Sequence, residues 1–369
     1  MTAPGDSDGV AGGVRVLIVG TGLIGTSIGL GLVRRGVEVW LDDPDPQALH
    51  TACGRGAGTE LPRDAVPDVI FVAVPPHVTA SVVSASLDHY LNATVSDVAS
   101  VKSQVVREIS THDTHGGRFV PGHPMAGREV SGPGAAMADL FEGRVWALTP
   151  SAATDAFRVD QVAELVRLLG AVPVFTTAQA HDVAVALTSH TPQIVSSVVA
   201  AGLVPLPDSD VQISGQGLRD VARLASSDPD LWTDILSANA DPVADALDDL
   251  ISRLGTVRDG LRSGAAGQPA VRAALAAGVS GVAKIPGKHG TSPVAWASVA
   301  VVIADRPGEL GRLFLAAGES GINLEDVRID HAAGRPTGLV ELSVRPDMAE
   351  ELVRALSVGG WNVRGSRSS

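Results

Sequence analysis

The chain has 369 residues, enough for two or three domains that each bury a core. Its formal charge of −13 argues against nucleic acid and anionic membranes as partners, so any anionic small-molecule substrate must find locally concentrated cations. The single cysteine, Cys53, excludes an intrachain disulfide, and no apolar run approaches the roughly 18 residues of a membrane span. The acidic, Gly-rich residues 1–13 have neither the basic start nor the apolar core of a leader peptide. They read as a disordered lead-in to a cytoplasmic protein.

From Val14 to Thr177 short β-branched runs alternate with helical patterns. Strands are expected at Val14–Gly20, Val37–Asp42, Asp68–Val74, Thr94–Val98 and Arg118–Pro121, with two more at Val145–Leu148 and Val172–Phe175. This alternation predicts an α/β Rossmann-type, doubly wound parallel sheet over residues 14–177. The first strand runs into Gly20-Thr21-Gly22-Leu23-Ile24-Gly25, which opens a helix at Leu23–Arg35. Gly20 permits the turn, Gly22 admits a pyrophosphate and Gly25 lets helix and strand pack closely. The anion then sits on the helix N-terminus, at Leu23 and Ile24. A carboxylate after the second strand, Asp43 or its neighbour Asp42, would bond ribose hydroxyls and repel a 2′-phosphate, which favours NAD over NADP.

In an open parallel sheet, ligands bind at the carboxyl ends of the strands. Gly20, Asp43, Pro75-Pro76-His77, Ser100 and His123 each follow a successive predicted strand and should line one crevice, with Val74 and Pro75 expected at the cofactor. Ser100 also precedes a helical run, where it would act as an N-cap. His123 lies in the Gly- and Pro-flanked loop Gly122-His123-Pro124-Met125-Ala126-Gly127. A neutral imidazole there can take a proton from a substrate hydroxyl as hydride leaves the same carbon, with Ser100 orienting it.

Residues 178–280 lack a good strand and read as an all-helical domain. Its helices are expected at His181–Gly202, Gly217–Ala225, Asp230–Leu261 and Ala270–Gly278, apolar enough to need a large partner surface, for which a second subunit is one candidate. His190 and Gln193 share a helical face, and so do Arg219 and Arg223, with Asp220 beside them. A pair of arginines in an acidic protein suits a carboxylate clamp, although a solvated Arg–Asp face is the plainer alternative. Residues 281–294 form a Gly/Pro-rich linker with three potential cations, Lys284, Lys288 and His289. Residues 295–369 then show the order βαββαβ of a ferredoxin-like domain.

Taken in order, these segments resemble the prephenate/arogenate dehydrogenase family of tyrosine biosynthesis. The resemblance rests on the glycine fingerprint, Asp97-Val98-Ala99-Ser100-Val101-Lys102, Gly122–Gly127, Ser189-His190-Thr191-Pro192, Gly217-Leu218-Arg219-Asp220-x-x-Arg223 and Ser227-Asp228-Pro229-x-x-Trp232. The tail, with Asp305-Arg306-Pro307-Gly308-Glu309-Leu310-Gly311 and Gly321-Ile322-Asn323, looks like an ACT domain. The resemblance implies NAD-dependent oxidative decarboxylation of prephenate to 4-hydroxyphenylpyruvate. His123 and Ser100 would bond the ring hydroxyl and Arg223 a substrate carboxylate, while Ser189, His190, Asp220 and Trp232 surround the pocket and Glu129 stands at its mouth. It also implies a homodimer and an amino-acid effector at the tail, tyrosine first among candidates.

Two departures bear on the substrate side chain. Gln193 stands where several prephenate-specific relatives carry a second histidine, and it can accept a hydrogen bond from the ammonium of arogenate. Arg128 replaces a small polar residue and would favour an anionic side chain. The balance leans to prephenate, with arogenate as the alternative. A hydroxyacid or 6-phosphogluconate-type dehydrogenase would need a lysine on the helical side, and no lysine occurs from Ser103 to Ala283. A non-catalytic NAD- and amino-acid-sensing protein remains the rival of another class, opposed by the intact Ser100, His123 and Arg223 set.

Overall fold

The computed structural model describes residues 13–110, 116–127, 130–285, 296–331 and 336–368. The chain divides into two compact units, Met1–Gly255 and Thr256–Ser369. The expected lead-in lies almost wholly outside the described residues, as do Arg128, Glu129, Lys288 and His289.

The first unit opens with β1 (Arg15–Val19), α1 (Leu23–Val33), β2 (Glu38–Asp42), α2 (Pro46–Gly54), β3 (Thr59–Glu60), β4 (Val69–Val72), α3 (Pro76–His89), β5 (Thr94–Asp97) and α4 (Ser103–Ser110). The five strands pair in parallel in the order β3-β2-β1-β4-β5. Both faces are covered, so β4 is buried along its whole length. One face packs Ile28 and Leu32 of α1 and Ala52 of α2. The other packs Val83 and Leu87 of α3 with Val105 and Ile109 of α4. The short β3 escapes the sequence reading because two residues carry no period.

The single sheet expected over residues 14–177 is in fact two. Next come β6 (Gly122–Pro124), β7 (Val145–Leu148), α5 (Ala156–Leu168) and β8 (Val172–Phe175). These strands form a separate three-stranded sheet, with β6 antiparallel to β7 and β7 parallel to β8. The strand expected at Arg118–Pro121 reduces to one parallel bridge, Val95 to Phe119, before the chain turns away to pair with β7. His123 is therefore on a strand, paired with Ala147, and not in the loop the sequence suggested.

Helices follow: α6 (Ala178–Val185), α7 (Thr191–Ala201), α8 (Asp208–Val211), α9 (Gln216–Ala222), α10 (Pro229–Ala238), α11 (Ala240–Arg262) and α12 (Gln268–Val282). A π-turn, Ala186–His190, joins α6 to α7. The widened turn comes just before Pro192, which has no N–H to continue the α-helical ladder. The whole run Ala178–Ala201 is long and apolar enough to pass as a membrane span, contrary to the sequence expectation. Its buried His181, Asp182, His190 and Gln193 carry hydrogen bonds to neighbouring elements instead. The single helix expected over Asp230–Leu261 breaks at Asn239, whose backbone leaves the helical region at φ −118° and ψ 32°. The boundary between the two units falls within α11. In the second unit, α12 runs to Val282, into the segment read as linker.

The second unit ends with β9 (Ala297–Ala304), α13 (Glu309–Glu319), β10 (Asp326–His331), β11 (Thr337–Val344), α14 (Ala349–Val358) and β12 (Asn362–Ser368). Its strands form an antiparallel sheet in the order β10-β11-β9-β12. Strict alternation of buried residues in β9 and β11 puts one face against Leu313 and Ala317 of α13 and Leu352 and Leu356 of α14.

Candidate active site

The glycine segment meets the steric demands of a dinucleotide loop. Gly20 has φ +98°, and a Cβ on it would lie 2.4 Å from the Ala73 carbonyl oxygen. A Cβ on Gly25 would lie 1.9 Å from the Gly20 carbonyl oxygen, so strand and helix approach as only glycine allows. Gly22, the N-cap of α1, faces open space, and the first turn of α1 carries no acidic residue. The half-buried Leu23 and Ile24 follow it with the exposed amide end of the helix. Val74 and Pro75 lie beside this loop; the Val74 side chain is close to Gly20, and Pro75 caps α3.

The structure separates the two aspartates. Asp43 Oδ2 accepts from the Thr21 N–H at 2.6 Å and the Thr21 hydroxyl at 2.9 Å, and Oδ1 from the Asp45 N–H at 2.8 Å. Asp43 thus buttresses the glycine turn. Asp42 lines a different groove with Val19 and Tyr90, and its charge, after burial, helps push the Tyr90 hydroxyl's pKa up.

His123 sits where β6 abuts the carboxyl end of β5. Gly122 is wedged there: a Cβ would lie 2.9 Å from the Asp97 carbonyl oxygen. Beneath it, fully buried Lys102 donates to the Asp97 carboxylate and, at 2.7 Å, to the Gly122 carbonyl. His123 is 9% exposed, and its Nδ1 lies 2.9 Å from His181 Nε2. His181 Nδ1 in turn lies 2.8 Å from Asp182 Oδ1. Burial, then the proximity of His181, Lys102 and His190, holds the His123 imidazole well below the usual histidine range, against the pull of Asp182. His123 is therefore neutral at pH 7 and able to accept a proton.

The half-buried Ser100 lies between β5 and α4, two residues before Lys102. The N-cap role weighed for it falls away, because α4 starts at Ser103. The Asp182 carboxylate reaches across from α6 to accept the Lys102 and Ser103 amides, each at 2.8 Å.

A second histidine joins the same network. Asn239 donates through Nδ2 to the Asp182 carbonyl at 2.9 Å and lies 3.1 Å from His190 Nδ1. Turning the amide over would set its oxygen against that carbonyl, so the nitrogen faces both. His190 Nδ1 is thus the acceptor, and its Nε2 carries the proton. Burial first, then His181, lowers the His190 pKa below the usual range, while Asp182 opposes this. Trp232 packs edge-on against His190, with centroids 6.1 Å apart. Ser189 is half-buried in the π-turn beside it. Gln193 donates through Nε2 to the Leu224 carbonyl at 2.9 Å, which ties α7 to the short turn Arg223–Ser226. Arg223 opens that turn and Arg219 stays in α9, so the α-helical face expected of the pair ends between them. Asp220 is exposed and accepts from Gln216 at 3.0 Å.

Hydrogen bonds and a ring contact thus connect His123 through His181, Asp182 and Asn239 to His190 and Trp232, while Ser100 lies three residues before the Ser103 amide that Asp182 holds and Arg223 precedes the Leu224 carbonyl that Gln193 bonds. The sequence reading missed His181, Asp182, Asn239 and the buried role of Lys102. An adjacent His-Asp pair opening a helix was the available signal for the first two.

Residues 28–175 match the family model "Prephenate dehydrogenase, nucleotide-binding domain", and residues 177–270 match "Prephenate dehydrogenase, dimerization domain". A probable prephenate dehydrogenase of Streptomyces niveus, NovF, is 38% identical over 94% of this chain and 98% of its own length. The prephenate dehydrogenase of Bacillus subtilis is 31% identical over 66% of this chain and 69% of its own. The crystal structure of A. aeolicus prephenate dehydrogenase, in complex with hydroxyphenyl propionate and NAD+, superposes with a TM-score of 0.67 at 27% identity, covering 74% of this chain and 99% of that one. Synechocystis arogenate dehydrogenase superposes with a TM-score of 0.62 at 26% identity, covering 73% of this chain and 98% of that one. The chain belongs to the prephenate dehydrogenase family.

Proposed function

We propose that this protein is an NAD-dependent prephenate dehydrogenase. The observation that carries this reading is a buried, neutral His123 at the carboxyl edge of a sheet whose glycine loop fits a dinucleotide. NAD, when bound, supplies the hydride acceptor. The open face of Gly22 and the amides at Leu23 and Ile24 would hold its pyrophosphate, with Val74 and Pro75 flanking it. Asp43 keeps lone pairs for the ribose while it steadies the turn.

His123 accepts the proton of the 4-hydroxyl of prephenate, and Ser100 shares the hydroxyl. Hydride loss from C4 with departure of CO2 aromatises the ring, so the chain has only to orient the ring and move one proton. Arg223 holds a carboxylate, and His190, with its proton on Nε2, donates to the substrate from the wall that Ser189, Asp220 and Trp232 complete. A second reading, arogenate as substrate, is favoured by one feature: Gln193 Oε1 is buried without a hydrogen-bond partner. That oxygen suits an ammonium donor. Comparing NAD reduction with prephenate and with arogenate decides between them. Loss of activity in His123→Ala tests the base, and full activity in that variant would overturn it.

The family model for residues 177–270 and the exposed Val198, Val204, Leu206, Ile213 and Val221 support a homodimer. The βαββαβ order of the C-terminal sheet supports an ACT-like module that binds an amino-acid effector, tyrosine first, near Asp305–Gly311. Tyrosine added to the assay checks this.

A further inference from the structure

A base must present a lone pair, and His123 has two ring nitrogens. Nothing in His123 itself decides which one is protonated, but its surroundings constrain it. Burial alone would raise the Asp182 pKa, yet hydrogen bonds from His181, Ser103 and Lys102 hold it below the usual carboxylate range. An ionised carboxylate only accepts. His181 Nδ1, 2.8 Å from Asp182 Oδ1, is therefore the protonated nitrogen of that ring. If His123 is the base, its Nε2 keeps the lone pair, so Nδ1 donates at 2.9 Å and His181 Nε2 accepts. His181 and Asp182 are each 3% exposed, so water does not stand in for either partner.

We propose that His181 and Asp182 are positioning residues that hold His123 as its Nδ1–H tautomer and steady the imidazolium formed during turnover. The substrate O–H bond breaks as the Nε2–H bond forms, and the O–H electron pair stays on oxygen. The positive charge on His123 then faces His181 and, behind it, the Asp182 carboxylate. This inference rests on the reading of His123 as the base.

Two substitutions separate orientation from packing. His181→Leu fills space but leaves His123 Nδ1 without an acceptor. His181→Gln can accept from His123 through its oxygen and donate to Asp182 through its nitrogen, so it keeps the direction of both bonds. In the full-length protein without ligands, 15N NMR of the imidazoles should show His123 protonated at Nδ1 in wild type and His181→Gln, and a mixture of tautomers in His181→Leu. With prephenate and NAD, kcat of His181→Leu should fall about 10²-fold with both KM values little changed. His181→Gln should recover most of that loss. An unchanged kcat in His181→Leu overturns the proposal. So does an equal loss in both variants with the Nδ1–H tautomer intact, since His181 would then only fill space. An active His123→Ala is a different failure, that of the base assignment itself.

Discussion

Lys102 and Asp97 form a fully buried ion pair beneath the strand that carries His123. Lys102→Met keeps most of the side-chain volume and removes the cation. Asp97 then keeps its bonds to the Ala99 N–H at 3.0 Å and the Gly122 N–H at 3.3 Å but loses its counter-charge. The Gly122 carbonyl also loses the donor that lies at 2.7 Å. Breaking one side of a buried pair costs about 3–5 kcal/mol. The orphaned carbonyl contributes within that range, so a loss of about 4 kcal/mol is expected. With a urea slope of about 3 kcal/mol/M the midpoint should fall by about 1.3 M, followed by tryptophan fluorescence, since Trp146 packs in this sheet. Asp97→Asn in the same background removes the charge and should recover about half of the loss. A single variant within about 1 kcal/mol of wild type would refute the argument.

The lowered His123 pKa predicts that kcat/KM with prephenate holds as pH falls through 6.5 and declines only below it, as the imidazole is protonated. The unfolded chain takes up that proton near 6.5 whereas the folded chain does not, so stability falls on the same acid side. A pH profile with its acid limb at or above 6.5 contradicts this. Gly25→Ala forces its methyl to within 1.9 Å of the Gly20 carbonyl and should lower the melting temperature and abolish NAD binding, whereas Gly22→Ala meets nothing within 4 Å and should melt like wild type while binding NAD about tenfold more weakly. Calorimetric titration that finds wild-type affinity in Gly22→Ala would count against the placement of the pyrophosphate. Asn239→Leu removes the donor to both Asp182 and His190 and should raise KM for prephenate about tenfold while leaving KM for NAD unchanged. Equal changes in both constants would point to general loosening of the domain.

The parts legible in the sequence are those whose cause is local. Gly20, Gly22 and Gly25 are dictated by one turn, and the alternation in β9 and β11 by one sheet face. The parts that escaped it are held by distant partners. Gly122-His123-Pro124 is too short and too punctuated by Gly and Pro to read as a strand, and it becomes one only by pairing with Trp146, Ala147 and Leu148. Asn239 interrupts a strong helical pattern because its side chain bonds Asp182, 57 residues away, and His190, 49 away. Helical periodicity marks His181 and Asp182 as buried and stops there. Their bonds to His123, 58 residues away, and to the Lys102 amide, 80 away, turn two buried polar residues into a directed chain. Direction is the property that matters for the reaction. If His123 is the base, reversing it would put the proton on Nε2, and the same three residues at the same distances would then offer a donor where a base is required.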